Sequence, residues 1–249
     1  MVVAGACNGV GFIALYLGGG FGPMMPKLGM GIDNLVSARL LLASGETMTA
    51  SSTENQSVFD SIRGGGQILG IVQEIQVKTY PLAETLNTTD GTVWSGTVEL
   101  PADRAADVAG VLGRMEMTRD MAVYMIVEHL PPKFHFFLSY YGSDEQAGAA
   151  YADLYALNPL VKARRRAPYV KINDENNSPP VGGFKRLFGL GLQRVCAKRL
   201  EEVTGELAAL LAKDDDFKRT HIIFDILDMK KTREKSTGIF PHRGVNYWW

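Results

Sequence analysis

The sequence predicts an α+β fold in two units. Three observations predict it. Residues 1–82 are organised around two glycine-rich turns and short alternating stretches. Residues 83–249 follow the order strand, helix, strand, strand, helix, which suits an antiparallel sheet with helices on one face. The chain has 249 residues, 46% of them hydrophobic, enough to bury a substantial core.

The first unit opens on residues 10–22, VGFIALYLGGGFG, an apolar run that ends in Gly18, Gly19, Gly20 and Gly22. So many glycines together serve where backbone takes φ > 0 or approaches something closely. Bare N–H groups in such a turn suit an anion such as a phosphate. A second run, Gly64-Gly65-Gly66 and then Gly70, precedes a strand over residues 71–80. The two turns read as halves of one cradle. Neither is a dinucleotide fingerprint: Gly20-x-Gly22 leads to Met25, and Gly64-x-Gly66 to Leu69. No G-x-x-x-x-G-K-[ST] occurs. The competing reading of glycine runs is plain tight turns.

Between the turns, residues 35–42 read as a strand, Ser44-Gly45 as a turn and residues 46–50 as the return strand. Residues 57–63 form a short helix that stops at the glycines. In the strand over 71–80, Ile71, Gln73, Ile75 and Val77 alternate with Val72, Glu74, Gln76 and Lys78, and Pro81 closes the unit.

In the second unit, residues 92–100 read as a strand. Residues 101–117 read as a helix with Ala105, Val108, Ala109, Val111 and Leu112 at helical spacing. Residues 121–130 and 133–141 are two strands joined at Pro131-Pro132. Ser143-Asp144-Glu145-Gln146 is a capping box that opens a helix to about residue 157. Arg164-Arg165-Arg166 reads as a solvated helix end, and residues 173–183, with Pro179-Pro180 and Gly182-Gly183, as a long loop. Residues 196–213 form a helix with Leu200, Val203, Leu207, Leu210 and Leu211 on its apolar face, Cys196 among them. Residues 214–216 are an acidic turn and 221–227 a strand.

Net charge is −1, which argues against a charge-driven nucleic-acid or anionic-membrane partner. The apolar run at residues 12–17 is far short of the ~20 residues a membrane span needs. No signal-peptide pattern opens the sequence. Two cysteines, Cys7 and Cys196, are too few for a disulfide framework. The four histidines show no ligand spacing, so no metal is expected.

The motifs Gly5-Ala6-Cys7-Asn8-Gly9-Val10-Gly11, Leu17-Gly18-Gly19-Gly20-Phe21-Gly22, Leu28-Gly29 and Asp33-Asn34-Leu35 resemble those of the FAD-binding PCMH-type domain of the vanillyl-alcohol-oxidase flavoproteins. The likeness is to the berberine-bridge-enzyme-like branch, including its fungal members. It continues through Thr53-Glu54-Asn55, Phe59 and residues 63–72, and returns at Phe240-Pro241-His242-Arg243. The first third of the chain carries most of it.

The resemblance implies a partial FAD-binding domain followed by an antiparallel-sheet substrate domain. It implies FAD as cofactor, contacted by Cys7, Gly11, Ala14, Gly18, Gly19, Gly20, Gly22 and Ile71. It implies a small-molecule substrate such as a sugar, alkaloid or phenolic, hydride transfer to flavin N5, and molecular oxygen as acceptor. Cys7 matches the cysteine that bonds the flavin ring in bicovalent members; the other reading is a small buried thiol. Asn8 replaces the family's usual proline, Ala14 a glycine and Ile68 an asparagine. The base is not assigned by the resemblance. Tyr247 is the acid–base candidate on the strand after the FPHR motif, while Glu128 and Asp225 read as a solvated strand face and His242 as structural.

No R-G-G-G-H-like loop is found, nor the family's C-terminal segment, so the expectation is the middle part of a longer oxidase. The alternative is a non-catalytic remnant that cannot hold FAD. The compartment is not given, although the family is often secreted.

Overall fold

The computed structural model describes residues 1–129, 131–174, 188–213, 217, 220, 222–234, 238–241, 243–244 and 247–248, with backbone alone at 67, 129, 247 and 248. The chain divides into two compact units. The first holds Met1–Thr85, Val170–Phe184 and Asp228–Gly244; the second holds Leu86–Tyr169, Lys185–Leu227 and Val245–Trp249. The sequence division at 82/83 does not include the return of 228–244 to the first unit.

The first unit begins with helix α1 (Phe12–Leu17) and the short α2 (Met25–Leu28). Strands β1 (Leu35–Leu41) and β2 (Thr47–Ser51), helix α3 (Gln56–Gly65) and strand β3 (Ile71–Val77) follow, and α4 (Leu82–Leu86) leads out. The strands form an antiparallel sheet in the order β2-β1-β3. Tyr16, Leu17, Leu35, Leu40, Phe59 and Ile62 pack as its core. The buried Tyr16 hydroxyl donates to the Val3 carbonyl at 2.9 Å.

The apolar run, left without a secondary structure by the sequence, is a helix, and the glycines begin at its C-terminus. One expectation changes here: the strict alternation over 71–80 fails. A bulge at Gln73 interrupts the pairing between Arg39↔Glu74 and Leu40↔Val72. One extra residue reverses which side chains face the core. Val72 therefore joins Ile75 and Val77 against the core, and Ile71 is 67% exposed.

The second unit contains β4 (Thr92–Pro101), α5 (Ala105–Arg114), β5 (Met121–His129), β6 (Pro132–Tyr140), α6 (Asp144–Ala150), α7 (Ala152–Tyr155), β7 (Leu160–Pro168), β8 (Gly191–Leu192), α8 (Ala197–Leu211) and β9 (Ile222–Leu227). The chain then forms α9 (Lys230–Glu234) in the first unit and β10 (Tyr247–Trp248) in the second. Seven strands make one sheet in the order β7-β4-β6-β5-β9-β10-β8, and every pair is antiparallel. Helices α5 and α8 cover one face over Val123, Met125, Val127, Phe134, Phe136 and Phe224. The α+β arrangement is the one expected.

The capping box at α6 forms as read. Ser143 Oγ accepts from the Gln146 N–H at 3.2 Å, and Gln146 Oε1 accepts from the Ser143 N–H at 2.9 Å. Arg164-Arg165-Arg166 is not a helix end but part of β7, an edge strand paired with β4. Arg166 donates to Thr92 Oγ1 at 2.8 Å and pairs with Asp144 at 2.7 Å, and Arg164 lies over the Trp94 and Tyr155 rings. Cationic side chains on an edge discourage pairing with another chain. Cys196 is exposed at the N-cap of α8, outside the apolar face formed by Leu200, Leu207 and Leu211. The acidic turn at 214–216, His221, His242 and most of the 173–183 loop lie outside the described residues.

Candidate functional site

Two features carry the candidate chemistry, one in each unit. The first is the glycine turns. Gly19 and Gly20 are buried with φ of 122° and 82°. The Gly31 N–H donates to the Gly20 carbonyl at 2.9 Å and the Ile32 N–H to the Gly19 carbonyl at 3.2 Å. A Cβ on Gly20 would lie 2.3 Å from Gly31 Cα, and one on Gly22 would lie 1.9 Å from the Ala4 carbonyl oxygen. These glycines are required by close approach of the chain to itself.

The second turn meets the first through the FPHR motif. A Cβ on Gly64 would lie 2.9 Å from the Phe240 backbone nitrogen, and one on Gly19 would lie 3.1 Å from the Phe240 ring. Phe21 and Phe240 stack edge-on at 5.6 Å. The Ile239 N–H donates to the Arg63 carbonyl at 3.1 Å. Arg243 holds the returning segment by a bidentate pair with Asp33, whose side chain is fully buried; the distances are 2.8 and 3.0 Å. Three motifs far apart in sequence thus form one structure.

The packed glycines leave a different set open. Gly11, Ala14 and Gly18 are exposed at the i, i+3, i+7 spacing of one face of α1. A Cβ on Gly11 would meet nothing within 4 Å. The face therefore carries almost no side chain. Helix α1 also packs on the turn at Gly66–Ile68 and on β3, where Ile68 and Ile71 are 86% and 67% exposed. Cys7 is half-buried in the turn before α1. That turn is anchored on both sides. Asn8 Nδ2 donates to Asp174 Oδ1 at 3.2 Å, and Asn173 Nδ2 to the Gly5 carbonyl at 2.9 Å. Asn8 thus has a bonding role that a proline at that position could not fill. Of the eight residues expected at the cofactor, Gly11, Ala14, Gly18 and Ile71 lie exposed, Cys7 half so, and Gly19, Gly20 and Gly22 are packed within the chain.

The second feature is the sheet face of the second unit opposite α5 and α8. Residues directly paired on antiparallel strands share a face. The register gives one row of Thr97, Phe137, Tyr124 and Asp225, and a next row of Glu99, His135, Ile126 and Ile223. Lys133 and Glu128 follow. For a sheet face this is rich in polar groups, and much of it is withdrawn from water: Ser95, Thr97 and Ser139 are buried.

Two groups on this face are electrostatically unusual. In one, Lys133 Nζ lies 2.8 Å from Glu99 and 3.1 Å from Glu128, and His135 Nδ1 lies 2.8 Å from Glu128. Burial works against the charged forms, but the mutual bonds outweigh it. They hold Glu128 below the usual carboxylate range and Lys133 above the usual amine range. His135 Nε2 is buried with no hydrogen-bond partner among the described residues. The other group is Tyr124 with Asp225. Tyr124 is buried, and its hydroxyl has no hydrogen-bond partner among the described residues. Burial pushes the Asp225 carboxyl up to about 7. Asp225 is therefore not the solvated carboxylate expected from sequence, and Glu128 belongs to a bonded network. Nothing in strand periodicity marks either, because periodicity reports a face and not what covers it.

A raised carboxyl is a stability cost. Between the unfolded value of about 3.9 and about 7 the folded chain holds more protons than the unfolded one, so stability falls as pH rises through that window. Asp225→Asn is expected to stabilise the chain at pH 8 by on the order of 2 kcal/mol and to have little effect at pH 4. Urea denaturation at the two pH values checks this; equal effects at both would contradict it.

Tyr247, the sequence candidate for the base, lies on β10, with its backbone paired to Ile226 and Leu192. Its side chain lies outside the described residues. Among the described residues no group of three or more His, Cys, Asp and Glu could hold a metal ion, and no helix is long and apolar enough to cross a membrane.

No family model matches the chain. The FAD-linked oxidoreductase hasG of Aspergillus fumigatus is 25% identical over 266 residues, covering 99% of this chain and 55% of that protein. The xylooligosaccharide oxidase of Myceliophthora thermophila, solved with xylobiose, superposes with a TM-score of 0.73 at 21% identity, over 99% of this chain and 55% of that one. The Physcomitrella patens BBE-like 1 protein superposes at 0.78 with 16% identity, over 100% and 56%. The chain spans about half the length of the curated relatives it matches across its whole extent.

Proposed function

We propose, from the premise that this chain belongs to the berberine-bridge-enzyme-like branch of the FAD-linked oxidoreductases, that it contributes the flavin-contacting turns and substrate-facing sheet of an oxidase for hydroxyl-bearing small molecules. One observation carries the reading. The glycine turns and the FPHR segment close on one another and leave Gly11, Ala14 and Gly18 as a bare helical face. A planar cofactor can approach such a face without meeting a side chain, and the exposed Ile68 and Ile71 supply apolar surface beside α1. The residues present fit FAD in this way, with Gly19, Gly20 and Gly22 shaping the turn rather than touching the cofactor.

When bound, FAD supplies a two-electron acceptor that takes hydride at N5 and passes its electrons to oxygen. The protein's part is to place the substrate, exclude water and accept a proton. Sugars, phenolics and other secondary metabolites fit an oxidation of this kind. Cys7, in its anchored turn, is the residue that would tether the cofactor covalently.

Purified protein is expected to be yellow and to keep its flavin through acid precipitation. Cys7→Ala is expected to release most of the flavin on acid treatment and to change the thermal midpoint little, since the residue is half-buried. Flavin absorbance of pellet and supernatant checks this. Flavin that stays with the Cys7→Ala protein would remove Cys7 as the tether. Colourless protein after reconstitution with FAD would favour the non-catalytic remnant.

A further inference from the structure

We propose that Asn173 and Asp174 are positioning residues, which clasp the turn carrying Cys7 and hold its thiol in place for the cofactor. The role toward the cofactor rests on the Cys7 tether proposed above. The clasp itself lies within the first unit, which includes both Met1–Thr85 and Val170–Phe184.

The Cys7 turn has a firm stem and a loose tip. On the stem side, the Ala4 carbonyl crosses Gly22 so closely that a Cβ on that glycine would lie 1.9 Å from its oxygen. A Cβ on Gly5 would meet the Leu15 methyls of α1 at 3.5 Å. On the tip side, Asn8, Gly9, Val10 and Gly11 are exposed. Glycine widens the conformations open to the Asn8-Gly9 pair. The Val10 N–H reaches the Cys7 carbonyl at 3.4 Å, the long end of a hydrogen bond. Cys7 stands between stem and tip, half-buried. Held from the stem alone, its thiol would follow the tip through several positions.

Asn173 and Asp174 reach this turn from 168 and 166 residues away and grip it on both sides of Cys7. Asn173 Nδ2 donates to the Gly5 carbonyl at 2.9 Å, and Asp174 Oδ1 accepts from Asn8 Nδ2 at 3.2 Å. The clasp is itself braced. The Asp174 N–H donates to the Lys171 carbonyl at 3.1 Å, and Asp174 Oδ2 lies 3.5 Å from Lys171 Nζ. One carboxylate oxygen thus holds Asn8 while the other faces a cation on its own segment. Exposed contacts of this kind add little to global stability. They do narrow where a side chain lies, and groups held in place react faster. Tethering balances in atoms and electrons: the Cys7 S–H and one flavin-ring C–H bond break and an S–C bond forms. The two protons and two electrons released reduce oxygen to hydrogen peroxide.

The first test needs no flavin. In a Cys196→Ser background Cys7 is the one thiol, because the sequence holds two cysteines. The flavin-free chain is alkylated with iodoacetamide and followed by mass spectrometry. The rate at Cys7 should rise about 3- to 10-fold in Asn173→Ala and in Asn8→Asp, the latter setting two carboxylates against each other. Asp174→Asn keeps an acceptor for Asn8 and should stay within about twofold of wild type. Asn8→Asp combined with Asp174→Asn reverses donor and acceptor and should restore the slow rate. Thermal midpoints should stay within about 3 °C throughout. Rescue by the swapped pair is a result that general loosening of the unit does not produce. Rates unchanged in Asn173→Ala and Asn8→Asp, or a swapped pair as fast as Asn8→Asp alone, overturn the clasp.

The second test reads the cofactor. On reconstitution with FAD, acid-stable flavin should form about 3- to 10-fold more slowly in Asn173→Ala and Asn8→Asp, and at the wild-type rate in the swapped pair. Acid-stable flavin that forms at the wild-type rate in variants with quickened alkylation overturns the positioning role. A wild-type chain that forms no acid-stable flavin would instead count against the tether, and the alkylation rates would still decide the clasp.

Discussion

Replacing Gly20 with alanine is expected to lower the thermal midpoint by about 10 °C or more, at roughly 2–4 °C per kcal/mol for a chain of this size. Two costs add. At φ of 82° any side chain is strained, by about 1 kcal/mol or more. The new Cβ would also lie 2.3 Å from Gly31 Cα and 2.4 Å from Gly31 N. Those are backbone atoms, and no rotamer change can move them. Gly31 cannot retreat freely either, because its own N–H is bonded to the Gly20 carbonyl. Separating the strands of this crossing would cost about 1–3 kcal/mol of packing and the hydrogen bond besides. Gly11→Ala is the control. It meets nothing within 4 Å and sits at the N-cap of α1, so its effect on stability should stay within about 1 kcal/mol. Its effect on flavin retention should be large, because it places a methyl on the bare face. Circular dichroism melts and flavin-to-protein ratios separate the two roles. A Gly20→Ala protein that melts within a few degrees of wild type would contradict the close-approach account. A Gly11→Ala protein with full flavin would take the cofactor away from that face.

The two variants also show what sequence alone resolves. A run of glycines announces that backbone comes near something, but not whether that something is a ligand or the chain itself. Here both occur within one motif: Gly20 and Gly22 meet the chain, and Gly11 faces open space. The long strands and amphipathic helices of the second unit were legible because period 2 and period 3.6 repeat over many residues. Strand β7 was not, since its solvent edge carries Arg164, Arg165 and Arg166, where a buried strand would show alternation. Helix α1 was hidden by its length of six residues, too short for a period to appear. Ile71 fell on the other face because one bulged residue reverses the phase of everything before it. Asp225 and Tyr124 could be placed on strands, but their pairing depends on sheet order, which joins β5 to β9 across most of the second unit.

Arg243→Met is expected to destabilise the first unit by about 3–5 kcal/mol, because it leaves the Asp33 carboxylate buried without its counter-charge. The arginine side chain is itself 12% exposed and also donates to the Thr232 carbonyl at 3.2 Å. Methionine keeps much of the stem packing and removes the charge and the donors. Asp33→Asn should cost a comparable amount, with its side-chain oxygen still able to accept from the Met30 N–H, now at 3.0 Å. The double variant should cost less than the sum by on the order of 2 kcal/mol, since neither charge is then stranded. Additive effects would mean that the contact seen between these residues is not an energetic coupling, and that Arg243 acts through its stem alone. The consequence reaches the glycine turns. Arg243 pins the segment that carries Phe240, and Phe240 packs against both Gly19 and Gly64. A chain with this pin removed should therefore lose flavin in step with its loss of stability, as urea titrations followed by flavin fluorescence and by circular dichroism would record. An ion pair 210 residues apart in sequence then acts as the latch that ties the FPHR segment and the Asp33-Asn34-Leu35 motif to the glycines.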